Sequence, residues 1–347
     1  VKKENYFKAK VNSIKGSFGV GQYHKVVCES CDEVDAILCN SCGSANVHVV
    51  RKNYIKRLIG LPDEKLQIVN GDIYINDKIE RKPEKVQETL WVQVFNSNYP
   101  AKKDIVQNWE VKDEFWDVSA TQLQLQFPEG TEQKSYISFK RKITDYNVYN
   151  NEVPDAINSD IMIKFDVSVS GDNGGISIIL QENEKEIEAF VGTAAGKKKT
   201  SLKISGSIVK SDAEVFIEPG KEYNIGFANV DNKIILKLND SVVFSHTFDT
   251  DLSSLEDYTK FSELKFGGEN TDAVFKNISI FRDVYYTDAG EWGTLKAVEI
   301  DNKEYFFLGD NSRNSNDSRF WKIVPESNMV GKAFMVFWPP STIKYVR

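Results

Sequence analysis

Residues Ile161–Val169 read IMIKFDVSV, and this stretch decides the fold class. Its apolar side chains stand at every second position and alternate with more polar ones. Successive side chains of a β-strand point to opposite faces of a sheet, whereas a helix repeats its apolar residues every three to four positions. The segment is therefore predicted to be a strand with one face in a core.

Neighbouring segments extend this β pattern. Lys233–Leu238, the pair Asn239-Asp240 and Ser241–Phe244 predict a hairpin, as does Leu66–Ile79 around Asn70-Gly71. Asn-Gly favours the two-residue hairpin turn because both positions need positive φ. Between residues 161 and 286 strands recur about every 8–14 residues, which is typical of a β-sandwich. The predicted fold class is all-β.

The composition restricts the classes of function. The chain has 347 residues, enough for two or three domains, and a net charge of −7. An acidic balance argues against a nucleic-acid partner, because such proteins usually carry a basic face toward the phosphates. No segment approaches the roughly 18 consecutive apolar residues of a membrane helix.

The four cysteines are close together, at Cys28, Cys31, Cys39 and Cys42. Two C-x-x-C pairs at this spacing predict a tetrahedral zinc site, and four thiolate ligands leave no open position for catalysis. The predicted ion is therefore structural, and no cofactor is expected for catalysis. Two disulfides or a redox pair are the alternatives.

Two distant segments carry residues suited to chemistry. In the first, Lys56 lies in the apolar sequence Tyr54–Pro62. It is either a solvated lysine or a buried one whose pKa falls because desolvation penalises the ammonium form, and such a lysine can act as a general base. The second, Phe306–Trp321, is a polar loop between aromatic residues, in which Asp317 and Arg319 are predicted to form an ion pair.

Together, YIKRLIGLP (54–62) and FFLGDNSRNSNDSRFWKIVPESNMVGKAF (306–334) resemble the two most characteristic motifs of the type I signal peptidases. The resemblance implies an all-β peptidase core and a serine endopeptidase that removes signal peptides from exported proteins with a Ser–Lys dyad. It makes Lys56 the general base and Ser315 the hydroxyl that orients it. It also makes Asp317 with Arg319 a supporting ion pair, and it makes Gly309 and Asn314 positions that shape the site.

The nucleophile implied by the resemblance is Ser17, in the segment Gly16–Gly21. Ser13 is the second candidate. This segment departs from the family motif at Phe18, where the family has Met, and at Lys15, where many members have a hydroxyl residue, and it lacks the usual Pro-Thr. Elsewhere, Asp63 replaces the usual Gly, and the stretch between Cys42 and Lys56 is short. A Gly/Ser loop with no chemistry is the remaining alternative.

A C-x-x-C pair follows Gly21–His24, and the segment Gln87–Phe95 opens a long insertion. These features resemble those of family members from planctomycete-type bacteria, which carry a zinc ribbon and an insertion before the second motif. The expected core is 1–87 (ribbon about 26–45) and 287–347, and the insertion at 88–286 is expected to be a concanavalin- or laminin-G-like jelly roll. Such a sandwich can contact glycans or proteins. Trp91, Trp109 and Trp116 can stack on a sugar, but large aromatic residues are more often core.

The resemblance also implies partners and a location. Substrates are expected to be preproteins with small residues before the cleavage site. The body is expected on the periplasmic side of the bacterial inner membrane, held by an anchor upstream of Val1. The alternative function is a catalytically degenerate homologue that works as a glycan- or protein-binding module through its insertion.

Overall fold

The computed structural model describes most of the chain. The described residues are 18–28, 47–99, 108–119, 121–128, 133–145, 147–148, 151–152, 157–196, 198–249, 252, 262–333, 335–336 and 344–345. They form two compact units, one of Trp91–Tyr285 and one of the flanking segments Val1–Leu90 and Tyr286–Arg347. The insertion predicted at 88–286 begins three residues before the unit Trp91–Tyr285 and ends one residue after it.

Strands dominate both units. Before the insertion the elements are β1 (Phe18–Cys28), β2 (Val47–Gly60), β3 (Lys65–Val69), β4 (Asp72–Ile75), β5 (Lys78–Ile79) and α1 (Glu84–Leu90). Within it they are β6 (Val92–Asn96), β7 (Trp109–Val111), β8 (Trp116–Val118), β9 (Gln122–Leu125), β10 (Lys134–Phe139), β11 (Asn147–Val148), β12 (Asn151–Glu152), β13 (Ile161–Val169), β14 (Gly175–Glu182), β15 (Lys185–Gly192), β16 (Thr200–Ile204), β17 (Ser207–Asp212), β18 (Glu222–Val230), β19 (Lys233–Leu238), β20 (Ser241–Thr247), β21 (Ser262–Glu269) and β22 (Ala273–Arg282). After it come β23 (Val298–Glu299), β24 (Glu304–Leu308), α2 (Ser318–Trp321), β25 (Val324–Pro325), β26 (Met329–Lys332), β27 (Met335–Val336) and β28 (Lys344–Tyr345), with 3₁₀ turns at Ser312–Asn314 and Glu326–Asn328. The all-β prediction is confirmed.

The unit Trp91–Tyr285 consists of two antiparallel sheets. One has the order β17-β16-β15-β14-β21-β10-β7, and the other has the order β20-β19-β18-β13-β22-β9-β8, with β6 also paired to β22. Both sheets contribute to a single core, in which the rings of Phe165 and Phe266 stack with centroids 5.2 Å apart. Two sheets that face each other across one core are the predicted sandwich.

The sequence patterns match this unit closely. The five odd-numbered residues of β13 are all at most 3% exposed, as its alternation predicts. The predicted hairpin of β19 and β20 turns at Asn239 and Asp240, both with positive φ. Trp109 is buried in the core. Trp116 packs against the same core and stacks on Phe275, so both tryptophans serve as core residues.

The other unit contains a five-stranded sheet of order β25-β24-β2-β1-β26 and a four-stranded sheet of order β23-β3-β4-β5. The predicted turn at Asn70-Gly71 joins β3 to β4, and both residues have positive φ. Leu58, Leu61, Tyr305, Phe307 and Val324 form a core cluster of this unit. Within the part of the chain that is described, no helix is long and apolar enough to cross a membrane.

The pairing of β2 with both neighbours determines what lies beside Lys56. β1 runs antiparallel to β2 from Phe18 opposite Arg57 to Cys28 opposite Val47. On the other side, β24 pairs Leu308 with Arg57. The loop that follows β24 therefore begins next to Lys56.

Candidate active site

Lys56 and Ser315 are in direct contact at the centre of the candidate site. The Lys56 Nζ atom donates a hydrogen bond of 2.6 Å to Ser315 Oγ. Ser315 is 6% exposed and Lys56 is half-buried. The ring of Tyr54 lies 5.9 Å from the same amine. A lysine whose amine is held by a buried hydroxyl and flanked by an aromatic ring is not the solvated lysine of the alternative interpretation.

The surroundings lower the pKa of Lys56. Burial is the largest cause, because the ammonium form loses water that the neutral amine does not need. The carboxylates of Asp317 and Asp310 oppose this change, and the charge of Arg319 reinforces it. The net effect is that the Lys56 amine loses its proton at a lower pH than a free lysine does. A general base needs this neutral form.

Gly309 makes the contact between Lys56 and Ser315 possible. A Cβ atom built on this residue would lie 2.2 Å from Ser315 Oγ and 3.0 Å from Lys56 Nζ. The first distance is too short for a carbon atom and the second is tight, so a side chain here would force Ser315 Oγ to move. The family resemblance implied that Gly309 shapes the site, and its Cα lies against both polar atoms.

Asp317 and Arg319 form the ion pair that the loop sequence indicated. Both side chains are fully buried, and the guanidinium Nε and Nη2 donate to the two carboxylate oxygens at 2.9 and 2.8 Å. The backbone N–H of Gly309 donates to Asp317 at 3.1 Å. A bidentate pair of this kind fixes both side chains, and here it also anchors the backbone beside Lys56.

A second ion pair, between a buried arginine and a partly exposed aspartate, was missed by the sequence analysis. Arg57 is 1% exposed, and its Nε and Nη2 donate to the two oxygens of Asp310 at 2.9 and 2.7 Å. The pair joins the strand that carries Lys56 to the loop that carries Ser315. Its only signal in the sequence is that Arg57 adjoins Lys56 and Asp310 adjoins Gly309, two candidate site residues.

The remaining candidates lie outside this cluster or outside the described residues. Asn314 is exposed at the end of a 3₁₀ turn, and its backbone N–H donates to the Asn311 carbonyl. Ser17 and Ser13 are outside the described residues. So are Cys31, Cys39 and Cys42, while Cys28 ends β1 and its side chain is not described. The zinc site therefore stays a prediction.

Comparison with known proteins gives a family match around this site. The model of the family described as "Signal peptidase, peptidase S26" matches residues 22–123 and 252–338. The probable signal peptidase I-1 of Synechocystis sp. is 32% identical over 72 residues, which are 21% of this chain and 36% of that protein. Signal peptidase I of Aquifex aeolicus is 56% identical over 34 residues, 10% of this chain and 13% of that protein. The chain thus matches about a third or less of the length of these relatives.

Solved structures resemble the chain only weakly. A carbohydrate-binding module, CBM66 from Bacillus subtilis, is 13% identical with a TM-score of 0.36, over 50% of this chain and 94% of that one. A protein of unknown function with a galectin-like fold, also from Bacillus subtilis, is 9% identical with a TM-score of 0.40, over 56% of this chain and 97% of that one. Likeness at this level indicates no ligand.

Proposed function

The chain belongs to the signal peptidase family, peptidase S26, and we propose that it is a serine endopeptidase that removes N-terminal signal peptides from exported proteins. The observation that carries the proposal is the hydrogen bond of 2.6 Å from the Lys56 amine to the buried hydroxyl of Ser315. It supports a role for Lys56 as general base, because it orients the amine in a site that disfavours its charged form.

In the proposed mechanism Ser17 is the nucleophile. Lys56 takes the proton of the Ser17 hydroxyl as Oγ attacks the scissile carbonyl, and it then gives that proton to the leaving amine. The C–N bond breaks and an acyl-enzyme remains. Lys56 next activates water, which hydrolyses the ester and restores Ser17. The amine donates one N–H to Ser315, so its lone pair stays available for these transfers.

The register of the sheet supports the choice of Ser17. Gly19 lies directly opposite Lys56 in the pairing of β1 with β2, so the two positions face the same side of the sheet. Ser17 directly precedes the first residue of β1 in the sequence and has the same parity as Gly19. Gly19 itself has no side chain to occupy the space beside the amine. Ser13 shares this parity but stands four residues further from β1 in the sequence, so Ser17 is the preferred choice.

The proposed substrate is an extended segment of a preprotein. Such a segment can add to a sheet as a strand, with backbone hydrogen bonds giving affinity and shallow pockets selecting small residues near the cut. The proposed location is the periplasmic side of the bacterial inner membrane. Both statements rest on the family relationship, since exported precursors meet signal peptidases at the membrane.

The experiment is cleavage of a preprotein peptide by the full chain and four variants, Ser17→Ala, Ser13→Ala, Lys56→Ala and Lys65→Ala. The Ser17→Ala variant is expected to lose turnover entirely, and Lys56→Ala to lose about 10²–10⁴-fold, the usual contribution of a general base. Lys65 is a lysine of the same unit that pairs with Asp77 at the surface, so its variant controls for loss of a positive charge.

Each outcome selects one interpretation. Loss in Ser13→Ala with an active Ser17→Ala moves the nucleophile to Ser13. Equal turnover by Lys56→Ala and Lys65→Ala contradicts the dyad. A chain that cleaves no preprotein peptide at all supports the alternative, a degenerate homologue that binds through its inserted sandwich.

A further inference from the structure

Arg319 is enclosed by more than its carboxylate partner. Its Nη1 donates to Thr287 Oγ1 and to Ser312 Oγ, both at 2.7 Å, and to the Thr287 carbonyl at 3.1 Å. Its Nη2 donates to the Ser312 carbonyl at 2.6 Å. Thr287 is 6% exposed and Ser312 is 4% exposed. Two hydroxyls and two carbonyls from separate segments thus accept hydrogen bonds from one buried cation.

The two hydroxyl residues also bind each other. The backbone N–H of Thr287 donates to Ser312 Oγ at 2.8 Å, and Ser312 Oγ lies 3.4 Å from Thr287 Oγ1. Thr287 is the second residue after the insertion ends at Tyr285, and 25 positions separate it from Ser312. The contact therefore ties a segment outside both family motifs to the loop that carries Ser315.

The same segment covers Arg319 along its backbone. A Cβ atom at Gly290 would lie 2.7 Å from both Cβ and the carbonyl oxygen of Arg319. The backbone N–H groups of Glu291 and Trp292 donate to that carbonyl at 2.9 and 3.0 Å. The guanidinium end and the backbone end of Arg319 are both held by the chain between Thr287 and Trp292.

We propose that Thr287 and Ser312 are positioning residues of the active site, and this inference rests on the proposed function of Lys56. Their hydroxyls hold the guanidinium of Arg319 against Asp317. Asp317 in turn holds the backbone of Gly309, which lies against Ser315 and the Lys56 amine. Neither residue touches substrate in this scheme. They act on the base through a chain of buried contacts.

The proposal has an electrostatic consequence with a definite sign. The charged groups that act on the Lys56 amine are Asp317, Arg319 and Asp310, and the phenol of Tyr54 also faces it. Arg319 lowers the pKa of Lys56 and Asp317 raises it. When Arg319 loses the acceptors that hold it, the negative charge of Asp317 is less compensated at the amine. The pKa of Lys56 then rises, and the acid limb of kcat/KM moves to higher pH.

The test compares Thr287→Val, which removes the hydroxyl and keeps the shape, with Thr287→Ser, which keeps the hydroxyl. Ser312→Ala removes the second acceptor. Thr89→Val is the matched control, because Thr89 Oγ1 donates to the Val86 carbonyl at 2.7 Å in α1 and has no contact with Arg319. The first readout is the pH profile of kcat/KM for a preprotein peptide. The second is the pH dependence of Lys56 acylation by acetic anhydride, followed by mass spectrometry.

In Thr287→Val and Ser312→Ala we expect two midpoints to rise, that of the acid limb of kcat/KM and that of Lys56 acylation. The expected rise is about half a pH unit or more, which a titration readily resolves. Thr287→Ser and Thr89→Val are expected to keep the wild-type midpoints. An unchanged midpoint in both Thr287→Val and Ser312→Ala overturns the proposal. So does an equal shift in Thr287→Ser, which would assign the effect to packing of the methyl group.

Two arrangements keep the outcome decisive. If Thr287→Val fails to fold, as judged by thermal unfolding, Ser312→Ala carries the test alone. The labelling readout needs no catalysis, so a chain that cleaves no peptide refutes the proposed function while the midpoint of Lys56 still decides the role of Thr287 and Ser312. Conversely, normal Lys56-dependent cleavage with unshifted midpoints refutes only the positioning role.

Discussion

The amine of Lys56 lies 2.6 Å from the hydroxyl of Ser315, although 259 positions separate the two residues in the chain. The contact forms because β2 pairs with β24, so the loop after Leu308 begins beside the strand that carries Lys56. Two ion pairs then fix that loop. Arg319 and Asp317 are both fully buried, whereas buried Arg57 pairs with the partly exposed Asp310. A base built from distant segments therefore depends on backbone and ion-pair contacts as much as on its own side chain.

Gly309→Ala tests how closely the site is packed. The added methyl group would meet Ser315 Oγ at 2.2 Å, so we expect the amine and the hydroxyl to separate and cleavage to fall by roughly 10²-fold, as small displacements of catalytic groups do. Overpacking is also expected to cost about 1–3 kcal/mol of stability. Gly331→Ala is the control, because a Cβ atom there meets nothing within 4 Å. Peptide cleavage and thermal unfolding are measured together, and equal activity of the two variants would contradict this description of the site.

Arg57→Lys tests the second ion pair. The planar guanidinium binds both oxygens of Asp310, whereas an ammonium group can reproduce only one such bond. We expect a loss of about 1–3 kcal/mol in the free energy of unfolding, the range for hydrogen bonds to charged groups at buried sites. The control is Lys65→Arg, a cation exchange in the exposed pair with Asp77, which should change stability by less than about 1 kcal/mol. Urea unfolding measures both, and equal losses would show that burial of Arg57 is unimportant.

The lowered pKa of Lys56 predicts a pH-dependent stability. Between that pKa and the usual value of about 10.4, the unfolded state binds more protons at this residue than the folded state. The free energy of unfolding therefore rises with pH in this window. Relative to Lys56→Met, the wild-type chain should gain stability from neutral pH to about pH 10. Urea unfolding at a series of pH values measures the difference.

Lys65 supplies the control for this measurement. Its pKa is raised by a hydrogen bond to Asp77, so it is protonated in both states below about pH 10. The stability difference between the wild type and Lys65→Met should therefore be flat over the same range. A flat difference for Lys56→Met as well would mean that the folded chain leaves the Lys56 pKa unchanged.

Part of this architecture can be predicted from local sequence patterns and part cannot. The alternation in Ile161–Val169 and the turn at Asn239-Asp240 determine their own conformation, and both were predicted correctly. The burial of Arg57 was not predicted, because strand parity assigns Ile55 and Arg57 to the same face. Yet Ile55 is 61% exposed and Arg57 is 1% exposed.

The difference lies in the neighbouring strand. β24 pairs with β2 only from Arg57 onward, and no local pattern in β2 specifies where that partner begins. Thr287 was missed for a related reason. Its role depends on a contact with Ser312, 25 positions away, and on hydrogen bonds from the Arg319 side chain. Resemblance to the family identified Lys56, Ser315 and the ion pair of the loop. Arg57 and Asp310 lie in the same two motifs and were still missed, because their contact depends on how β2 and β24 pair.

The four cysteines predict one structural zinc ion per chain. If zinc is bound, all four thiols should react only after a chelator removes the metal, because the ligands are thiolates. Metal analysis measures the zinc content, and thiol titration measures the number of reactive cysteines. Cys39→Ser should lower the zinc content and the stability together, since metal binding and folding are coupled in such sites. Thiols that appear only after reduction would instead indicate disulfides.

Lys322 has backbone angles that are unfavourable for any residue except glycine. It caps the C-terminus of α2 with φ 75° and ψ −100°, and its amine lies 4.8 Å from the centre of the Trp292 ring. Residues held in such regions carry strain of about 1–3 kcal/mol. Lys322→Ala keeps that strain and Lys322→Gly releases it, so the Gly variant should be the more stable of the two by about 1–2 kcal/mol.

Lys78 in β5, where φ is not positive, supplies the control. There the Ala variant should be more stable than the Gly variant, because glycine weakens a strand by about 0.5–1 kcal/mol relative to alanine. Thermal unfolding of the four variants decides the point, and the same order at both positions would show that the backbone of Lys322 is not strained.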